Sequence, residues 1–318
     1  MERPLGEATR DTYGRVLEEL GAKNPNIVVL DADLSSSTRT AKFAAKYPDR
    51  FFNFGIAEAN MVSAAGGFAL AGKLPFISSF AVFLLCKGFD QLRQSIAYPG
   101  LNVKVVVTHG GISIGEDGPS QMSVEDFALA VSLPGFVVIH PADQYAAYAL
   151  LHQVAEDPRP CVVRLGRPKA PIVYSESDTF QIGKANQLRD GSDITLIANG
   201  LLVAEALDAA EILEKQGVQA RVLDMHTIKP IDEEAIARAA RETGAIVTAE
   251  EHLITGGLGA MVAQAVARTH PVPMEFVGIK DTYAESGTPR QLLERYGLVA
   301  ADIVRAAEKA LARKPQNG

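Results

Sequence analysis

Tryptophan is absent from this 318-residue sequence, and cysteine occurs only twice, as Cys86 and Cys161. Two cysteines are too few to build a disulfide framework, and their spacing does not match that of a metal site. We therefore expect two reduced thiols that serve packing, as is typical of a protein in a reducing compartment.

Long runs of one kind of residue are also missing. No basic run occurs and the net charge is −7, which argues against a nucleic-acid partner. No apolar run reaches the roughly 18 residues that span a bilayer, and the opening MERPLGEATRD has no apolar signal core. We therefore expect a cytoplasmic protein without a membrane partner, and we interpret the first methionine as a natural start.

Apolar strands alternate with helical patterns along the first half of the chain. The predicted strands lie at 27–34, 74–80, 103–109, 136–142 and 161–166. The predicted helices lie at 7–21, where Gly21 follows as a stop, and at 56–71, 86–97 and 143–156. Strands of continuous apolar character that alternate with helices are typical of a parallel sheet covered on both faces.

A segment with prolines and mixed charges, residues 167–190, interrupts this alternation and is interpreted as an irregular domain connection. After Gly191 the pattern resumes, with predicted strands at 193–200, 219–226, 245–252 and 274–279, and predicted helices at 203–217, 232–243 and 257–268. The length of the chain also suits two domains. We predict an α/β protein with two consecutive domains, at residues 1–180 and 190–318.

One carboxylate stands out in the apolar stretch FFNFGIAEANMVSAAGGFALAG, where Glu58 is the only charged residue. Its helical neighbours three and four positions away cannot pair with a charge, and we expect the small-residue helix to be buried on most sides. A buried carboxyl must be protonated or have a polar partner, which makes Glu58 a candidate acid–base group. The alternative is an exposed carboxylate at a helix N-terminus, where the helix dipole favours it.

Polar clusters follow four of the first-domain strands, at 33–38, 78–80, 109–121 and 164–167. Ligands of parallel sheets bind beyond the carboxyl ends of the strands, so we expect these clusters to converge on one edge. The glycine-rich loop GGISIGEDGPSQ at 110–121 is longer than most such connections, which favours a functional loop.

Several motifs together resemble the transketolase family. GIAEANMVSAAGGFALAG, SSFAVF and THGGISIGEDGPSQMSVED are similar to its pyrimidine-binding domain, and ARVLDMHTIKPID and VTAEEHLITGGLGAMVAQ to its C-terminal domain. The resemblance covers about residues 8–312. It implies a thiamine-diphosphate-binding fold of the pyrimidine type, followed by a smaller α/β domain. It also implies transfer of a two-carbon ketol unit between phosphorylated sugars.

The resemblance implies roles for residues around the thiamine diphosphate. Glu58 matches the glutamate that hydrogen-bonds N1′ of the aminopyrimidine and promotes its imino tautomer. Phe80 and Phe83 match phenylalanines that stack on that ring, although without the family core aromatics would be the preferred interpretation. Asp33 matches an aspartate at the cofactor edge, and a strand-end capping role is the alternative.

The resemblance also implies a set of substrate-binding residues. Arginine suits phosphate because its planar fork meets two oxygens at once. The residues that match family positions near the sugar or its phosphate are Arg10, Ser37, His109, Asp117 and Arg167. One departure matters: Gln121 stands where the family typically has histidine. Glutamine can donate and accept hydrogen bonds but cannot titrate near neutrality, which leaves the donor sugar open.

The sequence contains no GDG followed by asparagine, the family motif that holds Mg²⁺ against the diphosphate. We therefore expect no metal ligand in this chain. A partner N-terminal, diphosphate-binding subunit would hold the Mg²⁺, in an α2β2 heterotetramer that dimerises through this chain. In the second domain the family leads us to expect structural roles for four tempting acid–base residues, namely His226, Glu250, Glu251 and His252.

Other functions stay open at this point. The β chain of a 2-oxo-acid dehydrogenase shares the two-domain layout, and a deoxyxylulose-phosphate synthase-like enzyme is related. A transketolase for an unusual sugar, such as apulose or a sulfosugar, is kept open by Gln121. A non-catalytic regulatory or assembly subunit is disfavoured because nothing structural requires Glu58 and the phosphate arginines.

Overall fold

The computed structural model describes residues 3–315 of the chain and contains two sheets. Its strands are β1 (Ile27–Asp31), β2 (Phe51–Asn53), β3 (Leu74–Phe80), β4 (Lys104–Thr108), β5 (Val137–Ile139), β6 (Cys161–Leu165), β7 (Asn186–Arg189), β8 (Ile194–Ala198), β9 (Ala220–Asp224), β10 (Thr227–Lys229), β11 (Ile246–Leu253) and β12 (Met274–Ile279).

The helices lie between and after these strands. They are α1 (Thr9–Lys23), α2 (Ser35–Thr38), α3 (Ala41–Lys46), α4 (Glu58–Leu70), α5 (Phe89–Gln91), α6 (Asp126–Ser132), α7 (Gln144–Glu156), α8 (Leu202–Lys215), α9 (Glu233–Thr243), α10 (Leu258–Thr269), α11 (Pro289–Arg295) and α12 (Ala300–Ala312). Within residues 3–315, no helix is both long enough and apolar enough to cross a membrane.

The first sheet has seven strands in the order β10-β5-β6-β4-β3-β1-β2. All neighbours are parallel except β10, which runs antiparallel to β5. Every residue of β1, β4 and β6 is buried, as their continuous apolar character predicts for strands covered on both faces. The parallel sheet predicted from the alternation is therefore confirmed, and the short strand β10 was missed.

The second sheet has five strands in the order β12-β11-β8-β9-β7, with β7 antiparallel to β9. The predicted second α/β domain is confirmed. The prediction that residues 167–190 are wholly irregular is wrong at β7. This edge strand has the sequence NQLR and stays partly exposed, so it carries no apolar run that would identify it.

Several helix predictions need correction. Helix α1 continues to Lys23 rather than stopping at Gly21. A Cβ at Gly21 would lie 2.6 Å from the rings of Phe43 and Tyr47, so this glycine permits close packing. The helix predicted at 86–97 starts earlier and consists of two π-helical turns, Val82–Lys87 and Leu92–Ala97, separated by α5. Such turns are rare and often lie at functional sites.

Helix α4 begins at Glu58, two residues later than predicted, and is not buried on most sides. One face carries the buried residues Met61, Val62 and Ala65 against the first sheet. The opposite face is exposed in this chain, and Leu70 at its end is 75% accessible.

Candidate active site

Strands β6, β4, β3 and β1 lie side by side, so the segments that follow them meet at one edge of the sheet. The convergence predicted from the polar clusters is confirmed for all four of them. His109, which follows β4, stacks on Phe80 at the end of β3 with ring centroids 3.8 Å apart. Arg10 Nη1 donates to the Ser37 carbonyl at 3.1 Å and lies 3.0 Å from His109 Nε2.

Glu58 occupies the first turn of α4 and is only 4% exposed, so the helix-terminal position and the burial predicted as alternatives both occur. Its neighbours at helical spacing carry no charge, as the sequence shows, but a cation from another segment lies close to it. Lys87 Nζ lies 3.4 Å from Glu58 Oε1. Lys87 comes from the π-helical turn and its side chain is 52% exposed, so the pair is open to solvent on the lysine side.

Two aromatic rings continue from this pair toward His109. Phe83 lies under Lys87 Nζ, which is 4.6 Å from the centre of its ring. Phe80 and Phe83 are stacked at 5.6 Å with an interplanar angle of 13°. Flat apolar surface next to a buried carboxyl is an arrangement that fits an aromatic ring with a nitrogen hydrogen-bonding partner.

The tautomer of His109 follows from its two contacts. A guanidinium has only donors, so Arg10 must donate to Nε2, which leaves the ring proton on Nδ1. Nδ1 in turn donates to Thr108 Oγ1 at 2.7 Å. Burial, followed by the charges of Arg10, Arg167 and Arg39, lowers the pKa of His109 to about 3. The imidazole is therefore neutral at physiological pH.

These three arginines bring positive charge close to His109, although the chain has a net negative charge. Arg167 Nη1 donates to the Ile114 carbonyl at 2.5 Å and lies 3.2 Å from Glu116 Oε2. Arg39 Nε donates to Asp11 Oδ1 at 2.5 Å. Arg39 was not among the residues predicted from the sequence, because a lone arginine after a serine-rich turn carries no pattern.

Three predicted substrate residues remain. Asp117 and Gln121 lie in the glycine-rich loop 110–121, and Ser37 lies in α2. Asp117 is exposed, and its charge opposes the burial-induced lowering of the pKa of Arg10. Gln121 is partly buried, and its Nε2 donates to Ser120 Oγ at 3.3 Å. Ser37 contacts Arg10 through its carbonyl oxygen.

Asp33 follows β1 in a left-handed conformation and is exposed. Its backbone N–H donates to Asn53 Oδ1, and its Oδ1 accepts from Asn53 Nδ2, both at 3.1 Å. The strand-end capping role left open for Asp33 belongs to Asp31, whose carboxylate accepts from Leu34 N at 2.6 Å and from Thr38 Oγ1 at 2.7 Å. Asp33 therefore links β1 to the segment that leads into Glu58.

Among the side chains of residues 3–315, no group of three or more His, Cys, Asp or Glu residues is arranged so that it could hold a metal ion. The carboxyl and the stacked phenylalanines can accept the ring end of a cofactor.

Comparison with known proteins gives the family. Residues 6–172 match the transketolase pyrimidine-binding domain, and residues 183–303 match the transketolase C-terminal domain. A 6-deoxy-6-sulfo-D-fructose transketolase subunit, SqwH, from Clostridium sp. (strain MSTE9) is 44% identical over 96% of this chain and 95% of its own length. A putative transketolase C-terminal section from Methanocaldococcus jannaschii is 46% identical over 93% of this chain and 94% of its own length.

A solved structure described as a split gene transketolase, inactive β4 tetramer, is 48% identical and superposes with a TM-score of 0.91. The match covers 98% of this chain and 100% of that one. The chain therefore belongs to the transketolase family, and its two domains are the pyrimidine-binding and C-terminal domains of that family.

Proposed function

We propose that this chain is the C-terminal subunit of a split transketolase, which transfers a two-carbon ketol unit between phosphorylated sugars with thiamine diphosphate. One observation carries the proposal. An unbroken line of contacts runs from the buried carboxyl of Glu58 through Lys87, Phe83 and Phe80 to His109. It joins a place for a cofactor ring to a basic edge for a phosphate.

Thiamine diphosphate, when bound, would supply a nucleophilic thiazolium carbon for the sugar carbonyl. Glu58 would share a proton with N1′ of the aminopyrimidine. Its burial suits this role, because a hydrogen bond there faces little competition from water. Phe80 and Phe83 would hold the ring plane, and Asp33, through Asn53, would steady the segment before Glu58 at the cofactor edge.

Lys87 does not exclude this use of Glu58. The separation of 3.4 Å is long for a charged hydrogen bond, and the lysine side chain is half exposed on a flexible stem. Such a partly solvated pair contributes about 1 kcal/mol or less. A cofactor ring that reaches Glu58 can therefore displace the ammonium.

The basic edge would bind the sugar phosphate. Arg10 and Arg167, with Arg39 behind them, supply donors for phosphate oxygens. His109 would act as a neutral hydrogen-bonding group, since its pKa lies far below neutrality. Substrate hydroxyls and carbonyls would meet Asp117 and Gln121 on the loop, with Ser37 at the phosphate end.

A partner chain completes the proposed enzyme. It would hold the diphosphate and Mg²⁺, for which residues 3–315 provide no ligand cluster. The exposed apolar residues Ile56 and Leu70, 78% and 75% accessible at the two ends of α4, support an interface there. We propose an α2β2 assembly that dimerises through this chain, and a cytoplasmic location in keeping with two free thiols. We propose domain bounds of 1–180 and 190–318.

A second candidate substrate has its own support. The relative SqwH is named for a sulfosugar, and a sulfonate would meet the arginines around His109 much as a phosphate would. Gln121, in place of histidine, keeps this alternative open.

The test is co-expression with a diphosphate-binding chain, followed by transfer from xylulose 5-phosphate to ribose 5-phosphate with and without thiamine diphosphate and Mg²⁺. A parallel assay uses 6-deoxy-6-sulfofructose as donor. Glu58→Gln keeps the size of the side chain and should lower turnover about a hundred- to ten-thousandfold. Unchanged turnover in this variant would refute the catalytic role, and cofactor-independent transfer would refute the proposed chemistry.

A further inference from the structure

We propose that Glu251, on strand β11 of the second domain, is a positioning residue that holds the glycine-rich loop 110–121 in place. The inference rests on the proposed function, because the loop carries Asp117. Glu251 was expected to be structural; it is 2% exposed, and its carboxylate contacts Ser113 of the first domain.

Glu251 contacts the loop directly. Its Oε1 accepts a short hydrogen bond from the backbone N–H of Ser113. Two residues further along the chain, Leu253 N donates to the Val124 carbonyl at 2.8 Å, beyond the other end of the loop. Gly111 N closes the base by donating to the Ser123 carbonyl at 2.7 Å. The second domain therefore contacts the chain near both ends of the loop, at Ser113 and at Val124.

Arg164 completes the attachment from the first sheet. This side chain on β6 is 1% exposed, and its Nη2 donates to the Glu251 carbonyl at 2.9 Å and lies 3.9 Å from Glu251 Oε2. Its Nη1 lies 3.2 Å from Asp126 Oδ1, at the start of α6 just after the loop. The guanidinium also covers the ring of Phe127 at 4.5 Å. One buried cation thus orients two buried carboxylates from the two domains.

The backbone of the loop packs directly against the side chains of Arg164 and Glu251. A Cβ added at Gly110 would overlap the Arg164 side chain, and one added at Gly111 would overlap both Arg164 and the Glu251 carboxylate. Because the backbone at Gly110 and Gly111 is in such close contact, the position of the Glu251 carboxylate fixes the position of Ser113. Asp117 lies four residues further on, so its place relative to His109 depends on this anchor.

The neighbouring carboxylate provides a matched control. Glu250, 1% exposed, accepts hydrogen bonds from Leu258 N at 2.7 Å and Gly259 N at 2.8 Å, both within the second domain. Replacing Glu250 disturbs a buried carboxylate on the same strand without removing a loop contact. The pair Glu251→Ala and Glu250→Ala therefore separates loop positioning from general destabilisation.

The experiment measures amide hydrogen exchange of residues 110–118 in the full chain, then kinetics of the reconstituted enzyme. Glu251→Ala should speed exchange in the loop roughly tenfold or more, because Ser113 N loses its only acceptor among the described contacts. The KM for the ketose donor should rise by a similar factor, with thiamine diphosphate affinity unchanged. Glu251→Gln keeps an acceptor oxygen but loses the charge-assisted bond, so it should speed loop exchange measurably but by less than alanine does. It replaces the alanine variant if that fails to fold.

Unchanged loop exchange in the Glu251 variants, or an equal rise in Glu250→Ala, would overturn the proposal. Exchange is measured without turnover, so it decides the positioning role even if the chain transfers no ketol unit. Loss of the proposed function would show instead as an inactive wild-type assembly.

Discussion

Lys87 Nζ lies 3.4 Å from Glu58 Oε1 and 4.6 Å from the ring centre of Phe83, so one ammonium covers both the carboxyl and the ring proposed for the cofactor. If the cofactor ring displaces it, then Lys87→Met should tighten thiamine diphosphate binding. The gain should be modest, up to about fivefold, because a half-exposed ion pair contributes about 1 kcal/mol or less. Isothermal titration of the assembled enzyme measures it.

Lys73→Met is the control for this variant. Lys73 is exposed and precedes β3, so it lies at the opposite end of that strand from Phe80. Its replacement should leave cofactor affinity unchanged. Weaker binding in Lys87→Met would mean that the ammonium assists the cofactor instead of competing with it.

Arg10→Gln should raise the KM for phosphorylated sugars about ten- to hundredfold with little change in kcat, since a charge-assisted hydrogen bond to phosphate is lost. An unphosphorylated ketose donor should show almost no difference between the two enzymes. Arg15→Gln is a matched control on the same helix, where the guanidinium pairs with Glu7 at 2.6 Å. Equal losses on both donors would argue against phosphate recognition by Arg10.

The titration of His109 should appear in the pH dependence of stability. Its pKa is about 3 in the folded chain and near 6.5 when unfolded, so between these values the unfolded state binds more protons. Stability from this group is therefore fully present above pH 6.5 and falls as the pH is lowered. Between pH 7 and pH 5 the wild type should lose about 1–2 kcal/mol more than His109→Gln in urea unfolding. Parallel losses would contradict the neutral imidazole.

Gly111→Ala should destabilise the chain by about 2–4 kcal/mol, from a left-handed backbone and from overlap with Arg164 and Glu251. Gly135→Ala separates these contributions. Gly135 has a φ of +77°, close to the +79° of Gly111, but a Cβ there would meet nothing within 4 Å. It should cost about 1 kcal/mol, the backbone part alone. Equal midpoints in urea for the two variants would show that the loop can shift to make room.

Leu70→Asp tests the exposed end of α4. The side chain is 75% accessible, so the stability of the isolated chain should change by about 0.5 kcal/mol or less. Association with the diphosphate-binding chain, or between copies of this chain, should weaken roughly tenfold or more if Leu70 is buried in the assembly. Sedimentation velocity measures the two kinds of association, and urea unfolding measures the stability of the isolated chain. Association at wild-type strength would place the interface elsewhere.

Much of this protein is determined by local patterns in its sequence. The apolar runs predict the strands of the parallel sheet, because a strand covered on both faces has no polar side to display. The apolar and small residues around Glu58 mark it as a candidate buried carboxyl. The polar segments after the strands predict a shared edge, since parallel strands end together.

Only the tertiary structure decided which distant side chains meet at that edge. Lys87 reaches Glu58 across 29 positions, and Glu251 reaches Ser113 across 138. Arg39 adds its charge beside His109 from another turn of the chain. Such pairings produce no periodic pattern in the sequence, because they depend on how helices and loops pack against the sheets. A single lysine, arginine or glutamate in the sequence cannot be distinguished as a surface residue or a site residue.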